Sequence, residues 1–186
     1  MVGTPGFESV AVGAADGRPI DRVLGIDPGL GVTGYAVVGG SLRGPVVIEA
    51  GVLRPERSED DPMASRLRSL HVGVLELIDT FRPASLALEQ VHSHVRHPRT
   101  SILMAHARGV IVLAAALRDV PVFGYAAARI KKSLTGSGKA PKDQMQRAVQ
   151  IELRLAELPE PHDVADACAV ALCHYQIDRN RRGLVG

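Results

Sequence analysis

The fold is set by one short stretch near the N-terminus, Val23-Leu24-Gly25-Ile26-Asp27-Pro28-Gly29. Small and apolar residues that end at Asp-Pro-Gly predict a buried strand followed by a tight turn. A second strand is predicted at 35–38 and a third at 46–53. Because the connections between these strands are short, we expect an antiparallel meander, with Asp27 at the end of its first strand.

Farther along the chain, predicted strands alternate with helices. Apolar residues at three- and four-residue intervals predict an amphipathic helix over 63–81, and the stretch 101–117 is apolar on nearly every side of a helix. Strands are predicted at 86–89 and 120–123, and further helices at 126–134, 143–158 and 162–175. This order predicts an α/β fold, a mixed five-stranded sheet flanked by helices.

The length of 186 residues favours a single domain. Residues 1–20 show no hydrophobic period and are rich in Gly and Ala, so we expect a disordered leader. The domain itself is expected over 21–177, and 178–186 is expected to be a flexible basic tail.

Composition excludes several classes of protein. The 22 basic and 20 acidic residues leave a net charge of +2, which excludes a uniformly basic, histone-like protein. Aromatic residues make up 3%, too few for an RNA-binding sheet that stacks bases. Two cysteines, Cys168 and Cys173, are too few for a disulfide scaffold, and their spacing fits two free thiols on one helix. We therefore expect a reducing, cytoplasmic location, and we find no apolar run of membrane length.

The charge is unevenly distributed along the chain. Residues 96–154 contain eleven Lys or Arg and three Asp or Glu. A strongly basic segment predicts a phosphate-rich partner, and a solvated charged surface is the alternative.

Two glycine-rich stretches resemble nucleotide-binding motifs without meeting their requirements. Gly29, Gly31 and Gly34 have the spacing of a dinucleotide-binding turn, but a strand follows where that turn needs a helix. We expect these glycines to shape a hairpin instead. The pair Gly138-Lys139 lacks the preceding glycine and the following Ser or Thr of a phosphate-binding P-loop.

A histidine-rich loop follows the strand that ends at Glu89. His92, His94 and His97 have no cysteine nearby, which disfavours a structural zinc site. A solvated or phosphate-contacting loop is the better interpretation, and it also carries Arg96 and Arg99.

Four carboxylates form the strongest candidate site. Asp27 and Glu89 each end a strand, and Asp163 and Asp166 lie three residues apart near the start of the last helix, so they share a face. Taken singly, each suits a turn, an exposed strand end or a helix N-terminus. Together they would repel one another unless cations bind, and hard oxygen ligands select Mg²⁺ or Mn²⁺. Two such ions can activate water and stabilise the leaving oxygen of a phosphodiester.

Six sequence blocks resemble, in order, the RuvC-type Holliday junction resolvases. They are LGIDPG at 24–29 with Gly34, LEQV at 88–91, ARG at 107–109, KK at 131–132 with TGSG at 135–138, KDQMQ at 142–146, and DVADACAVA at 163–171 with His174. The similarity spans 22–175.

The resemblance implies an RNase H-like fold and a homodimer that cuts four-way DNA junctions by paired symmetric nicks, leaving 5′-phosphate and 3′-hydroxyl ends, in recombination and repair. It implies two Mg²⁺ or Mn²⁺ ions per active site, held by the four acids. Lys131 and Lys142 match family lysines near the scissile phosphate, and 102–117 matches the dimer-interface helix. It also suggests a branch-migration motor as a partner.

Further DNA contacts are expected from residues beside these blocks, namely Lys132, Lys139, His92, Arg96 and Arg99. His92 stands where the family usually has a stacking aromatic residue. Two alternatives stay open: a junction-binding module that does not cleave, and an RNase H-like nuclease that acts on RNA or RNA–DNA hybrids.

Overall fold

The computed structural model describes residues 7–11, 22–56, 58–60, 62–90, 98–181 and 183. These residues form six strands and five helices. The strands are β1 (Phe7–Ala11), β2 (Val23–Asp27), β3 (Thr33–Ser41), β4 (Gly44–Leu53), β5 (Ser85–Glu89) and β6 (Val122–Tyr125). The helices are α1 (Pro62–Phe81), α2 (Pro98–Ala116), α3 (Ala127–Thr135), α4 (Lys142–Leu153) and α5 (His162–Arg181).

The strands form one mixed sheet in the order β1-β4-β3-β2-β5-β6. The pairs β1–β4, β4–β3 and β3–β2 are antiparallel, as expected for a meander, whereas β2–β5 and β5–β6 are parallel. The predicted fold class, a mixed sheet flanked by helices, is confirmed. All five expected strands are present, although β6 begins two residues later than predicted.

The sixth strand lies where the sequence predicted disorder. The five residues of β1 pair with β4, with Phe7 opposite Leu53 and Ala11 opposite Glu49. The expectation of a wholly disordered leader over 1–20 is corrected for this strand. Residues 1–6 and 12–21 lie outside the described part of the chain.

Two helix ends also differ from the sequence-based expectation. Helix α4 ends at Leu153, before the predicted end at 158, because Arg154 adopts a left-handed conformation with φ 53° and its N–H caps the helix. Helix α5 continues to Arg181, so the first residues of the expected flexible tail are helical. Of that tail, 182 and 184–186 lie outside the described residues.

Helices cover both faces of the sheet, which explains why β2 is apolar or small at consecutive positions. Leu24 and Ile26 belong to the core that includes α1 and α2, whereas Val23 packs in the core that includes α5. Alternate side chains of a strand point to opposite faces, so a strand buried on both faces has a continuous apolar run.

Helix α5 approaches the sheet closely because glycines lie beneath it. A Cβ atom added to Gly25 would stand 2.5 Å from the carbonyl oxygen of Ala167. A Cβ atom added to Gly34 would stand 2.0 Å from the carbonyl oxygen of Asp163. These two contacts place the start of α5 over β3 and its next turns over β2.

Helix α2 buries one side only. Its alanines Ala107, Ala114 and Ala115 are fully buried in the core shared with α1, whereas Leu113 and Leu117 are 52% and 55% exposed. By length and mean hydropathy alone, Arg99–Ala116 would suffice to cross a membrane, and no other helix in the described ranges does. The sequence analysis did not recognise this window. Its packing on α1 makes α2 an element of the domain.

Candidate active site

Asp27 and Glu89 end two neighbouring parallel strands on the same face of the sheet. Ile26 is opposite Leu88 in the β2–β5 ladder, so the two acids occupy the next position along both strands. Neighbouring strands lie about 4.8 Å apart. Both acids follow, by two positions, residues that face α5, namely Gly25 and Ala87. Their side chains therefore lie side by side beneath α5.

The first turn of α5 brings two more acids to this edge. Gly34, over which the backbone of Asp163 lies, is opposite Asp27 in the β2–β3 ladder. Asp166 follows Asp163 by three residues and so lies on the same side of the helix. The absence of a side chain at Gly34 is what lets Asp163 approach Asp27.

The three other carboxylates of the cluster all affect the pKa of Asp27. The pKa of Asp27 is raised to about 7, first by burial and then by Asp166, Glu89 and Asp163 in that order, while Lys142 opposes them. A partly buried carboxylate with three acidic neighbours therefore binds a proton more readily than an ordinary Asp unless positive charge is supplied. The structure thus brings the four predicted acids into one cluster.

The pKa of Asp166 is raised too, although two lysines act against the shift. Burial is the main cause and Asp163 adds to it, whereas Lys142, His162 and Lys131 lower this pKa. Lys142 is the first residue of α4 and Lys131 lies within α3. Two separate helices therefore direct a lysine towards the acids, as the sequence predicted.

The remaining predicted DNA contacts lie apart from one another. Lys132 and Lys139 are exposed on α3 and in the turn before α4, and Arg99 is exposed in the first turn of α2. His92 and Arg96 fall within 91–97, outside the described residues. Their roles stay predictions.

The chemistry of the cluster fits a divalent cation. Its donors are carboxylate oxygens, which Mg²⁺ and Mn²⁺ prefer, and a cation would reverse the raised pKa of Asp27. Within the described ranges, no group of three or more His, Cys, Asp or Glu side chains stands arranged to hold an ion. The four acids are therefore close enough to interact electrostatically without forming a ready-made coordination site.

The turn after Asp27 is a hairpin, as predicted, because β3 begins at Thr33. The Thr33 hydroxyl is buried and donates to the Gly29 carbonyl oxygen at 2.5 Å, and the Gly29 N–H donates back to that hydroxyl at 3.2 Å. A Cβ atom at Gly29 would stand 2.0 Å from the Val32 carbonyl oxygen, so only glycine fits there. These contacts hold the turn that carries Asp27.

The sequence analysis missed two interactions around Glu89. The guanidinium of Arg108 donates to the Glu89 carbonyl oxygen at 3.1 Å. A charged residue in the middle of the apolar α2 sequence was a usable signal for it. The second interaction joins Tyr125, which is opposite Glu89, to His174. No local pattern predicts it, because the two residues are 49 positions apart.

Comparisons with known proteins agree with the fold and with the motifs. The family model described as "Crossover junction endodeoxyribonuclease RuvC" matches residues 23–174. A protein of that name from Rhodopirellula baltica is 51% identical over 160 residues, which cover 85% of this chain and 88% of the relative.

Two solved structures are also similar. Thermus thermophilus RuvC in complex with Holliday junction substrate superposes with a TM-score of 0.78 and 31% identity, covering 87% of this chain and 96% of that one. The yeast mitochondrial Holliday junction resolvase Ydc2, at 13% identity and a TM-score of 0.58 over 88% and 85% of the two chains, shares the fold. Together with the family model and the Rhodopirellula relative, these matches show that the chain belongs to the RuvC family of crossover junction endodeoxyribonucleases.

Proposed function

We propose that this protein is an endonuclease that resolves four-way (Holliday) DNA junctions by paired symmetric nicks, in homologous recombination and DNA repair. The observation that carries the proposal is the buried carboxylate of Asp27, whose pKa is raised to about 7 beside three further acids and Lys142. Membership of the RuvC family supports this assignment, and a relative has been solved with a Holliday junction substrate.

The acids Asp27, Glu89, Asp163 and Asp166 would hold two Mg²⁺ or Mn²⁺ ions in each active site. When bound, such ions supply an activated water and stabilise the leaving 3′ oxygen of the phosphodiester.

The lysines beside the acids have a different task. Lys142 and Lys131 come from two helices and act electrostatically on Asp166. Their positive charge would attract the scissile phosphate, which the four carboxylates would otherwise repel. Breaking the bond between phosphorus and the leaving 3′ oxygen leaves 5′-phosphate and 3′-hydroxyl ends, which a ligase can join.

A homodimer is the proposed working form. The exposed apolar side of α2 carries Ile102, Leu103, Leu113 and Leu117, more apolar side chains than one helix usually exposes to water. A two-fold dimer through this surface would present two identical sites to a junction that has approximate two-fold symmetry. A branch-migration motor as partner stays a prediction from the family resemblance, and a cytoplasmic location stays a prediction from the two free cysteines.

A panel of labelled substrates of equal length tests the proposal. The wild-type protein is incubated with a four-way junction, a linear duplex and an RNA–DNA hybrid, with Mg²⁺, with Mn²⁺ or with EDTA. We expect cleavage of the junction alone, and only with a metal ion. Preferred cleavage of the hybrid would favour the alternative RNase H-like nuclease.

Asp27→Asn is the matched variant for the same panel. Loss of one metal-binding carboxylate is expected to abolish cleavage, whereas junction binding in EDTA is retained because the lysines are unchanged. Tight junction binding without nicks by the wild type itself would favour the non-cleaving binding module.

A further inference from the structure

A buried hydrogen bond links α5 to β6 beyond the acid cluster. The Tyr125 hydroxyl and the His174 Nδ1 atom are 2.6 Å apart, and both residues are at least 93% buried. The rings of Phe123 and His174 also pack, with their centroids 4.4 Å apart. A buried hydroxyl and imidazole are costly to leave unpaired, so this bond strongly favours one relative placement of the two elements.

Tyr125 lies next to two elements that carry active-site residues, β5 and α3. It is opposite Glu89 in the β5–β6 ladder, and its carbonyl oxygen accepts the N–H of Gln90 at 2.8 Å. Helix α3 starts two residues after Tyr125 and carries Lys131, which acts on Asp166. The position of Tyr125 is thus tied to those of Glu89 and Lys131.

His174 stands on the helix that carries the other two acids. It follows Asp166 by eight residues, a little over two turns of α5. The contacts of Ala167 with Gly25 bring α5 close to the sheet near the acids. A directional hydrogen bond farther along α5 adds a second constraint on its axial position.

We propose that Tyr125 and His174 are positioning residues for the nuclease reaction. Their hydrogen bond fixes the axial position of α5 against β6, and thereby fixes the spacing between Glu89 on one side and Asp163 and Asp166 on the other. The catalytic consequence rests on the proposed function. The structural claim, that this bond holds α5 in place, does not.

Tyr125→Phe tests the inference because it removes one oxygen atom and keeps the ring. Tyr175→Phe is the matched control, since Tyr175 is equally buried on α5 and its ring packs near the Arg179 guanidinium. We expect kcat for junction cleavage to fall roughly tenfold or more in Tyr125→Phe, because small misplacements of reacting groups cost large factors in rate. KM should stay within about twofold, since no DNA contact is removed.

Two replacements of His174 test whether a side chain that can still form the hydrogen bond preserves kcat. In His174→Asn, the amide places a hydrogen-bonding atom near the position of Nδ1, so kcat should stay closer to wild type than in His174→Leu. A kcat for Tyr125→Phe equal to that of Tyr175→Phe would overturn the proposal, even if the melting temperature fell. So would equal losses in His174→Asn and His174→Leu.

Hydrogen–deuterium exchange separates failure of this inference from failure of the proposed function. Amides in the first turns of α5 and at the end of β5 should exchange faster in Tyr125→Phe than in Tyr175→Phe. If the wild type cuts no substrate, the proposed function fails and this exchange difference alone decides the positioning claim. Identical exchange in both variants would overturn it.

Discussion

Helices α2 and α5 differ in what covers them, although they are nearly equal in length. They contain 19 and 20 residues, and neither has a single sharp apolar stripe. In α5, an unbroken run from Ala167 to Tyr175 is buried, with the sheet on one side and α3 and α4 on others. In α2, alanines face α1 while leucines face outward.

The difference shows that two helices without a sharp apolar stripe can have different roles. Helix α5 is rich in alanine and cysteine, which let it lie close over Gly25 and Gly34 and so deliver Asp163 to the sheet edge. Helix α2 places its large side chains, such as Leu113, on the outside. Small residues inside the domain place the acids of the candidate active site, whereas the large exposed residues of α2 form the surface through which we propose that the protein dimerises.

The largest expected effect comes from lifting α5 off the sheet with Gly34→Ala. The added Cβ atom would collide with the backbone of Asp163, so α5 must shift. We expect junction cleavage to fall by about 10²-fold or more, and stability to fall by about 1–3 kcal/mol. Gly31→Ala is the control, because nothing lies within 4 Å of its added Cβ. Cleavage rates and melting temperatures are the measurements, and equal rates in the two variants would contradict this role of α5.

The next effect comes from a charge on the outer side of α2, in Leu113→Arg. A buried unpaired charge at a dimer interface should weaken the dimer by about thirtyfold or more, while the fold stays intact. Leu42→Arg is the control, since Leu42 is 94% exposed in the turn between β3 and β4. Sedimentation over a concentration series measures both. A wild type that sediments as a monomer, or a Leu113→Arg protein that dimerises normally, would refute the α2 interface.

The smallest expected effect is on the free energy of unfolding when no divalent ion is bound, because the carboxylates beneath α5 then repel one another. The folded protein raises the pKa of Asp27 from 3.8 to about 7. Between these values the folded state holds a proton that the unfolded chain releases, so stability falls as pH rises from about 4 to 7. In EDTA at pH 8, Asp27→Asn should therefore be more stable than wild type by about 2 kcal/mol, less than the full roughly 4 kcal/mol because the amide is itself costly to bury.

Denaturant unfolding at several pH values measures this difference. The advantage of Asp27→Asn should shrink steadily as pH falls through this range and be lost below pH 3.8, where Asp27 is protonated in both states, and Mg²⁺ should stabilise the wild type but not Asp27→Asn. Asp119→Asn, in the exposed turn after α2, controls for loss of one negative charge. A wild type that becomes more stable relative to Asp27→Asn between pH 4 and pH 8 would contradict this prediction.

The features that could be predicted were those with a local pattern. The stretch from Val23 to Gly29 predicted β2 and its hairpin, periodicity predicted α1, and the acids stood at strand ends or one helical turn apart. The pairing of Asp27 with Gly34 follows directly from such a hairpin. Local patterns therefore predicted the meander, the mixed sheet and the positions of the four acids, but not the strand order or β1.

The features that could not be predicted depend on distant partners. Strand β1 gains its order from pairing with β4, about forty residues later. Helix α4 stops where Arg154 turns left-handed, and its guanidinium donates to the carbonyl oxygen of Arg43 across the fold. The exposure of one side of α2 depends on what packs against it, which its own sequence does not encode.

The most direct test of the central claim, that α5 and the strand ends assemble a metal-dependent junction nuclease around Asp27, is product analysis on a synthetic four-way junction with each strand labelled in turn. The wild type should cut two opposing strands at symmetric positions with Mg²⁺ or Mn²⁺, not with EDTA, and the nicks should be sealed by a ligase. Asp27→Asn should bind the junction and leave every strand intact. Nicks that persist in EDTA, or that Asp27→Asn makes at the wild-type rate, would contradict the account.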